Sequence, residues 1–113
     1  MKEPQLREFE ELVLLGVRMK GQEACGVTIQ RVLEAEAGRS ASLGAIYTAL
    51  DRLARKGLVE SWMGEPTPVR GGRRKRHYRL TPSGLERLTD TRRVRDSMWA
   101  KVDPEIGEKE VAS

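Results

Sequence analysis

Apolar residues recur every three or four positions through most of this chain, and every second position in a short central stretch. This pattern predicts helices with a small strand unit set among them. In residues 5–20, QLREFEELVLLGVRMK, Leu6, Phe9, Val13 and Val17 fall at helical spacing. Leu12 and Leu15 widen the stripe, and Glu8 and Glu11 lie opposite. A largely buried first helix is expected, ended by Gly21. Residues 27–37, VTIQRVLEAEA, repeat the pattern with Ile29, Val32 and Leu33 inward and Gly38 as the stop. A third helix starts at Ser42, whose hydroxyl oxygen suits the N-cap. It turns Ile46, Leu50, Leu53 and Ala54 inward and closes at Gly57.

After Gly57 the period becomes two. Residues 58–63, LVESWM, read as a strand and residues 76–80, RHYRL, as its partner, with Tyr78 and Leu80 on one face. The intervening GEPTPVRGGRRK holds two prolines and three glycines and reads as loop. Thr81-Pro82 then opens a long fourth helix to about Val102: Thr81 suits the cap, and the fixed φ of Pro82 suits the first helical position. Leu85, Leu88, Val94, Met98 and Val102 leave an apolar seam along it, interrupted by Thr91. A helix of ~20 residues is about 30 Å long, more than so small a head can cover, so the seam is expected to pair with another chain. Asp103-Pro104 stops the helix, and residues 103–113 read as an acidic, disordered tail.

Three helices, a two-stranded wing and a long last helix make an α+β, mainly α, winged helix-turn-helix. The expected division is a DNA-binding domain over 5–81, a dimerisation helix over 82–102 and the tail. The 113 residues suit one core. No apolar run approaches the ~18 residues of a membrane span, and the start lacks the basic-then-apolar order of a signal peptide. A cytoplasmic protein without a membrane partner is expected. Cys25 is the sole cysteine and His77 the sole histidine, so a zinc set or a Cys-His or Ser-His catalytic pair has no candidate within one chain. The reading is of a non-enzyme without cofactor.

Charge sharpens this picture more by its placement than by its sum. Net charge is +4 overall, but it is −2 over residues 1–38, +7 over 39–79, +2 over 80–102 and −3 over 103–113. A local block of this kind is the footprint of a polyanion-binding face. Within it, the outward side of helix three carries Ala45, Thr48, Arg52 and Arg55 beside Gly44 and Asp51: small near its N-terminus, basic near its C-terminus. Small side chains admit base edges, and arginines reach phosphates or guanines.

The order of elements, and the residues that carry it, closely resemble the PadR-like family of transcriptional regulators in its short form. Those residues are Leu12-Val13-Leu14-Leu15, Cys25-Gly26-Val27, Ser42-Leu43-Gly44-Ala45-Ile46-Tyr47 through Leu50, and Arg52-Leu53. Lys56-Gly57-Leu58-Val59 and the run from Arg74 to Gly84 complete the set. The resemblance covers about residues 6–100. It implies a homodimeric repressor of double-stranded DNA, with helix three in the major groove and the wing along the backbone or minor groove. Tyr47 and Arg52 would then lie at the DNA surface, with Arg74, Lys75 and Arg76 at the base of the wing. Val27 stands where the family usually has an aromatic residue, and His77 replaces the first of two frequent aromatics before Leu80. Longer members carry a C-terminal helical domain, so dimerisation here would rest on helix four.

Each site has a blander reading beside it. Arg70, Arg73, Arg74, Lys75, Arg76 and Arg79 put six cations in ten residues next to two glycines, which favours phosphate or minor-groove contact over a solvated loop. Arg52 and Arg55 reach DNA or pair with Asp51 or Glu60. Tyr47 packs helix three on the wing, donates its hydroxyl to a phosphate, or both. Leu88, Val94, Met98 and Trp99 form a dimer interface, and Trp99 with Met98 either anchors that interface or lines a cavity for a small, flat hydrophobic effector. Cys25 reads as a buried or inert thiol with nothing nearby cationic enough to lower its pKa, Trp62 as core or strand surface, and His77 as a wing residue touching phosphate. The functional alternative is a winged-helix module for a protein or RNA partner.

Overall fold

The computed structural model describes residues 6–66 and 74–102. Helix α1 spans Glu8–Lys20. Glu8, Glu10 and Glu11 stand in its first turn and Arg18 and Lys20 in its last, each sign opposite the helix-dipole end it meets. A 3-10 turn, Gly21–Glu23, leads to α2, Gly26–Ala37. Cys25 is the N-cap: Thr28 returns its hydroxyl to accept from the Cys25 N–H at 2.9 Å and donates to the Glu23 carbonyl at 2.8 Å. Helix α3, Leu43–Arg55, opens on Ser42, whose hydroxyl accepts from the Ala45 N–H at 3.0 Å, as expected.

Strands β1, Val59–Met63, and β2, Arg76–Leu80, pair antiparallel with Val59 opposite Leu80, Ser61 opposite Tyr78 and Trp62 opposite His77. The segment before α2 joins their edge: the Tyr78 N–H donates to the Ala24 carbonyl at 3.0 Å, and Cys25 bridges His77. Helix α4 spans Pro82–Val102, the bounds the sequence implies. Thr81 caps it, accepting from the Gly84 N–H at 3.0 Å and donating to the Gly57 carbonyl at 2.7 Å, so the cap also ties α4 to the turn after α3. These elements form a winged helix-turn-helix with a long C-terminal helix. Among the described residues, no helix is long and apolar enough to cross a membrane.

Leu14, Ile29, Ile46, Leu50, Leu53 and Leu58 are buried together at the meeting of α1, α2, α3 and the sheet. Each such side chain contributes about 1.5–3 kcal/mol through burial. Two expected inward positions are corrected. Leu15 is exposed and its neighbour Leu14 fills the core; Ala54 is exposed and Ala49 is buried in its place. Adjacent residues of a helix lie about 100° apart, so a stripe read from sequence has uncertain edges, and the neighbouring elements choose between them. Gly84 seats α4 on the head: a Cβ there would collide with the Leu58 carbonyl. Leu88 follows one turn later and is 7% exposed. Beyond it the helix leaves the head, held by Arg95 Nη2 to Glu11 Oε1 at 3.0 Å.

Candidate nucleic-acid interface

Ser42, Gly44, Ala45, Thr48, Asp51, Arg52 and Arg55 lie together on the exposed side of α3. Gly44 serves no packing need, since an added Cβ would meet only Ser42 Oγ at 3.9 Å. The absence of a side chain keeps that part of the helix surface low. Neither Arg52 nor Arg55 forms an ion pair among the described residues; Glu60, one of the partners open to them, is held by Arg79 Nε at 2.7 Å. The middle and end of the α3 face therefore carry two uncommitted guanidinium groups.

Tyr47 lies near Tyr78 of the wing and also reaches α2. Its hydroxyl lies over Gly26, the first residue of α2, where a Cβ would stand 2.5 Å from the oxygen. The ring thus couples the start of α3 to the N-terminus of α2, and its side chain remains 40% exposed. Tyr78 of β2 is buried in the core. Burial pushes the Tyr78 phenol up, and nearby Asp51 and Tyr47 push the same way against the opposing charge of Arg76.

Arg74, Lys75 and Arg76 are exposed at the root of the wing. Arg76 Nη1 also donates to Ser61 Oγ at 3.0 Å across the strands. Arg70 and Arg73 lie outside the described residues. Arg79, counted with the basic cluster in the sequence, points elsewhere: it pairs with Glu60, and its guanidinium lies 5.4 Å from the Trp62 ring centroid. His77 is not a free wing residue, since its ring stacks on Trp62 at 5.4 Å with its Nδ1 buried and unpartnered.

Two further groups behave differently from what their local sequence suggests. Burial pushes the Cys25 thiol up, but hydrogen bonds from Thr28 and Val27 and the charge of Lys75 outweigh it and leave the thiol below its ordinary value. A cation therefore does bear on Cys25, though the residue is 5% exposed. Glu10, on a helix face read as apolar, is 2% exposed. Its Oε1 accepts from Lys56 Nζ at 2.8 Å and from the Arg7 N–H at 3.2 Å, while Oε2 is buried without a partner. Burial would raise its pKa, but these bonds and charges prevail and hold the carboxyl below its usual value. The pair clamps α1 to the C-terminal end of α3. Its partner stands 46 positions away, beyond the reach of any local pattern.

On α4, Val94, Met98, Trp99 and Val102 are 58–73% exposed, whereas Leu88, assigned to the same seam, is taken up in the head's own core. Arg95, Met98, Trp99 and Val102 line an apolar hollow of about 240 Å³.

Comparison with known proteins places this arrangement. The transcriptional regulator PadR-like family matches residues 14–90. Comparison with curated proteins returned no match. Among solved structures, a transcriptional regulator from Clostridium thermocellum is similar at 19% identity and a TM-score of 0.66, over 87% of this chain and 90% of its own. A PadR-like transcriptional regulator from Bacillus cereus is similar at 22% identity and a TM-score of 0.64, over 83% and 86%; these two show the fold. PadR of Bacillus subtilis, solved in complex with operator DNA, shares 28% identity at a TM-score of 0.63. That match covers 74% of this chain and 46% of the Bacillus subtilis one. The family match takes in α2, α3, the wing strands and the start of α4, and on that ground the chain belongs to the PadR-like family of transcriptional regulators.

Proposed function

We propose that the protein is a cytoplasmic, homodimeric repressor that binds double-stranded DNA. Helix α3 enters the major groove with Gly44 and Ala45 at its close approach and Thr48 among the bases. Arg52 and Arg55 reach guanine edges or phosphates. The observation that carries this reading is the α3 face itself: small at one end, with two arginines toward the other that have no ion pair among the described residues. The Tyr47 hydroxyl stands at the N-terminus of α2, where helix amides and a phenol would together hold a phosphate. Arg70, Arg73, Arg74, Lys75 and Arg76 follow the backbone or the minor groove. Similarity to Bacillus subtilis PadR, whose structure contains operator DNA, supports the same partner. Two protomers join through Val94, Met98, Trp99 and Val102, the part of α4 that no other element among the described residues covers. A flat hydrophobic effector would enter at the hollow beside Trp99. Nothing in this reading asks for catalysis.

Fluorescence anisotropy with the DNA upstream of the protein's own gene, against a random duplex at several salt concentrations, tests the proposal. The expected outcome is a preference of about a hundredfold or more for the upstream DNA, within the usual span of specific over non-specific binding. The logarithm of affinity should fall against log salt with a slope of about −0.9 per phosphate contact. Equal binding to both duplexes would remove the operator. Absence of binding at low salt would transfer the exposed Leu43 and Tyr47 of α3 to a protein-docking role.

A further inference from the structure

Helix α3 turns one strip of side chains directly away from the core. At ~100° of rotation per residue, Gly44, Thr48, Asp51 and Arg55 fall within an arc of about 60°, opposite buried Ile46, Leu50 and Leu53. Three of the four suit a polyanion, two by being small and one by being a cation. Asp51 does not. It is exposed in the middle of that strip, with a charge that phosphates repel.

Nothing in the described part of the fold requires a carboxylate there. Asp51 forms no ion pair among the described residues, although Arg55 stands four positions on, a spacing at which opposite charges meet on a helix. It also lies beyond the first turn of α3, where the helix dipole would favour a negative charge, and aspartate is a weak helix former. We infer that Asp51 sets base specificity by accepting a hydrogen bond from the N4 amino group of a cytosine in the major groove. This assignment rests on the DNA-binding reading of α3.

The chemistry of the base edges selects cytosine. Adenine sets its N6 amino group between its own N7 acceptor and the O4 acceptor of thymine, so a carboxylate there meets lone pairs on both sides. At a C·G pair the neighbouring acceptors, O6 and N7, belong to guanine, and a guanidinium can take them. Arg55 follows on the same strip and has no ion pair among the described residues. A short aspartate side chain needs the helix to sit deep in the groove. Gly44, which serves no packing need, and the small Thr48 on the same strip permit that depth. Where the facing pair offers no donor, the carboxylate confronts acceptors and phosphates without a compensating bond. Wrong sequences are thus disfavoured by repulsion as well as by a missing contact.

The test is selection of duplexes from a randomised library by the full-length protein, followed by binding to the enriched sequence with each base pair replaced in turn. The parent protein should require C·G at one defined position and lose about tenfold in affinity when that pair is replaced. In Asp51→Ala the requirement should flatten at that pair alone, and affinity for a random duplex should rise as a repulsive charge is removed. The variant keeps the fold, since alanine is the better helix former and Asp51 has no ion pair to lose. A loss spread evenly over all sequences, a profile identical to the parent's, or flattening at an A·T pair instead would each overturn the assignment. An identical profile would leave the operator reading standing. A parent protein that enriches no sequence would remove the operator reading, and this assignment with it.

Discussion

Helix α4 is two regions in one element. Its first turns belong to the head: Gly84 lies against the Leu58 carbonyl and Leu88 is buried in the core. Its later turns carry Val94, Met98, Trp99 and Val102 out into solvent, with exposures of 58–73%. The apolar seam runs through both halves, so a single sequence pattern serves two purposes. It closes one core, and it leaves a surface that no other described residue buries.

The sharpest way to break this contrast is at Gly84. Gly84→Ala drives a methyl group into a backbone carbonyl that cannot rotate aside, and the expected loss is about 4 kcal/mol, at the exceptional end for a point substitution. Urea unfolding measures it, and a loss below about 1 kcal/mol would mean that α4 can lift from the head at little cost. Leu88→Ala should cost about 3 kcal/mol through the cavity it leaves, by an amount that does not change with protein concentration if the residue serves its own head.

The outer half should respond in the opposite way. Trp99→Ala is expected to leave each head folded and to weaken self-association by about 2 kcal/mol, the scale of an interface anchor. Sedimentation over a dilution series reads this directly, and an unchanged association constant would assign Trp99 some other role.

Within the head, Glu10 offers a smaller and pH-dependent effect. Its folded pKa lies below the unfolded value. Its contribution is therefore present above the unfolded carboxylate range, near pH 4, and is lost as pH falls through the lower folded value. Glu10→Gln should cost about 1.5 kcal/mol at neutral pH and flatten that part of the acid limb. A variant whose acid limb matched the parent's would show that Lys56 gains nothing from the carboxylate.

Local chemistry makes much of this molecule legible in its sequence. The Ser42 cap, the Thr81-Pro82 start and the switch from helical to alternating period each depend on residues within a few positions of one another. The α3 face is equally readable, because helical spacing alone groups Gly44, Ala45, Thr48, Arg52 and Arg55. Legibility fails where a contact joins distant segments. Tyr47 sits over Gly26, Arg79 turns to Glu60 and Trp62, and Glu10 finds Lys56 across the fold.

Sequence by itself determined the order and type of the elements, the family, and which side chains share a helix face, because periodicity and capping act over one or two turns. Tertiary structure alone decided which of two adjacent apolar residues enters the core, which carboxylate is buried, which arginines are already paired, and where along α4 the head ends. Those outcomes depend on desolvation and contact between segments far apart in the chain, and such energies exist only once the segments have been brought together.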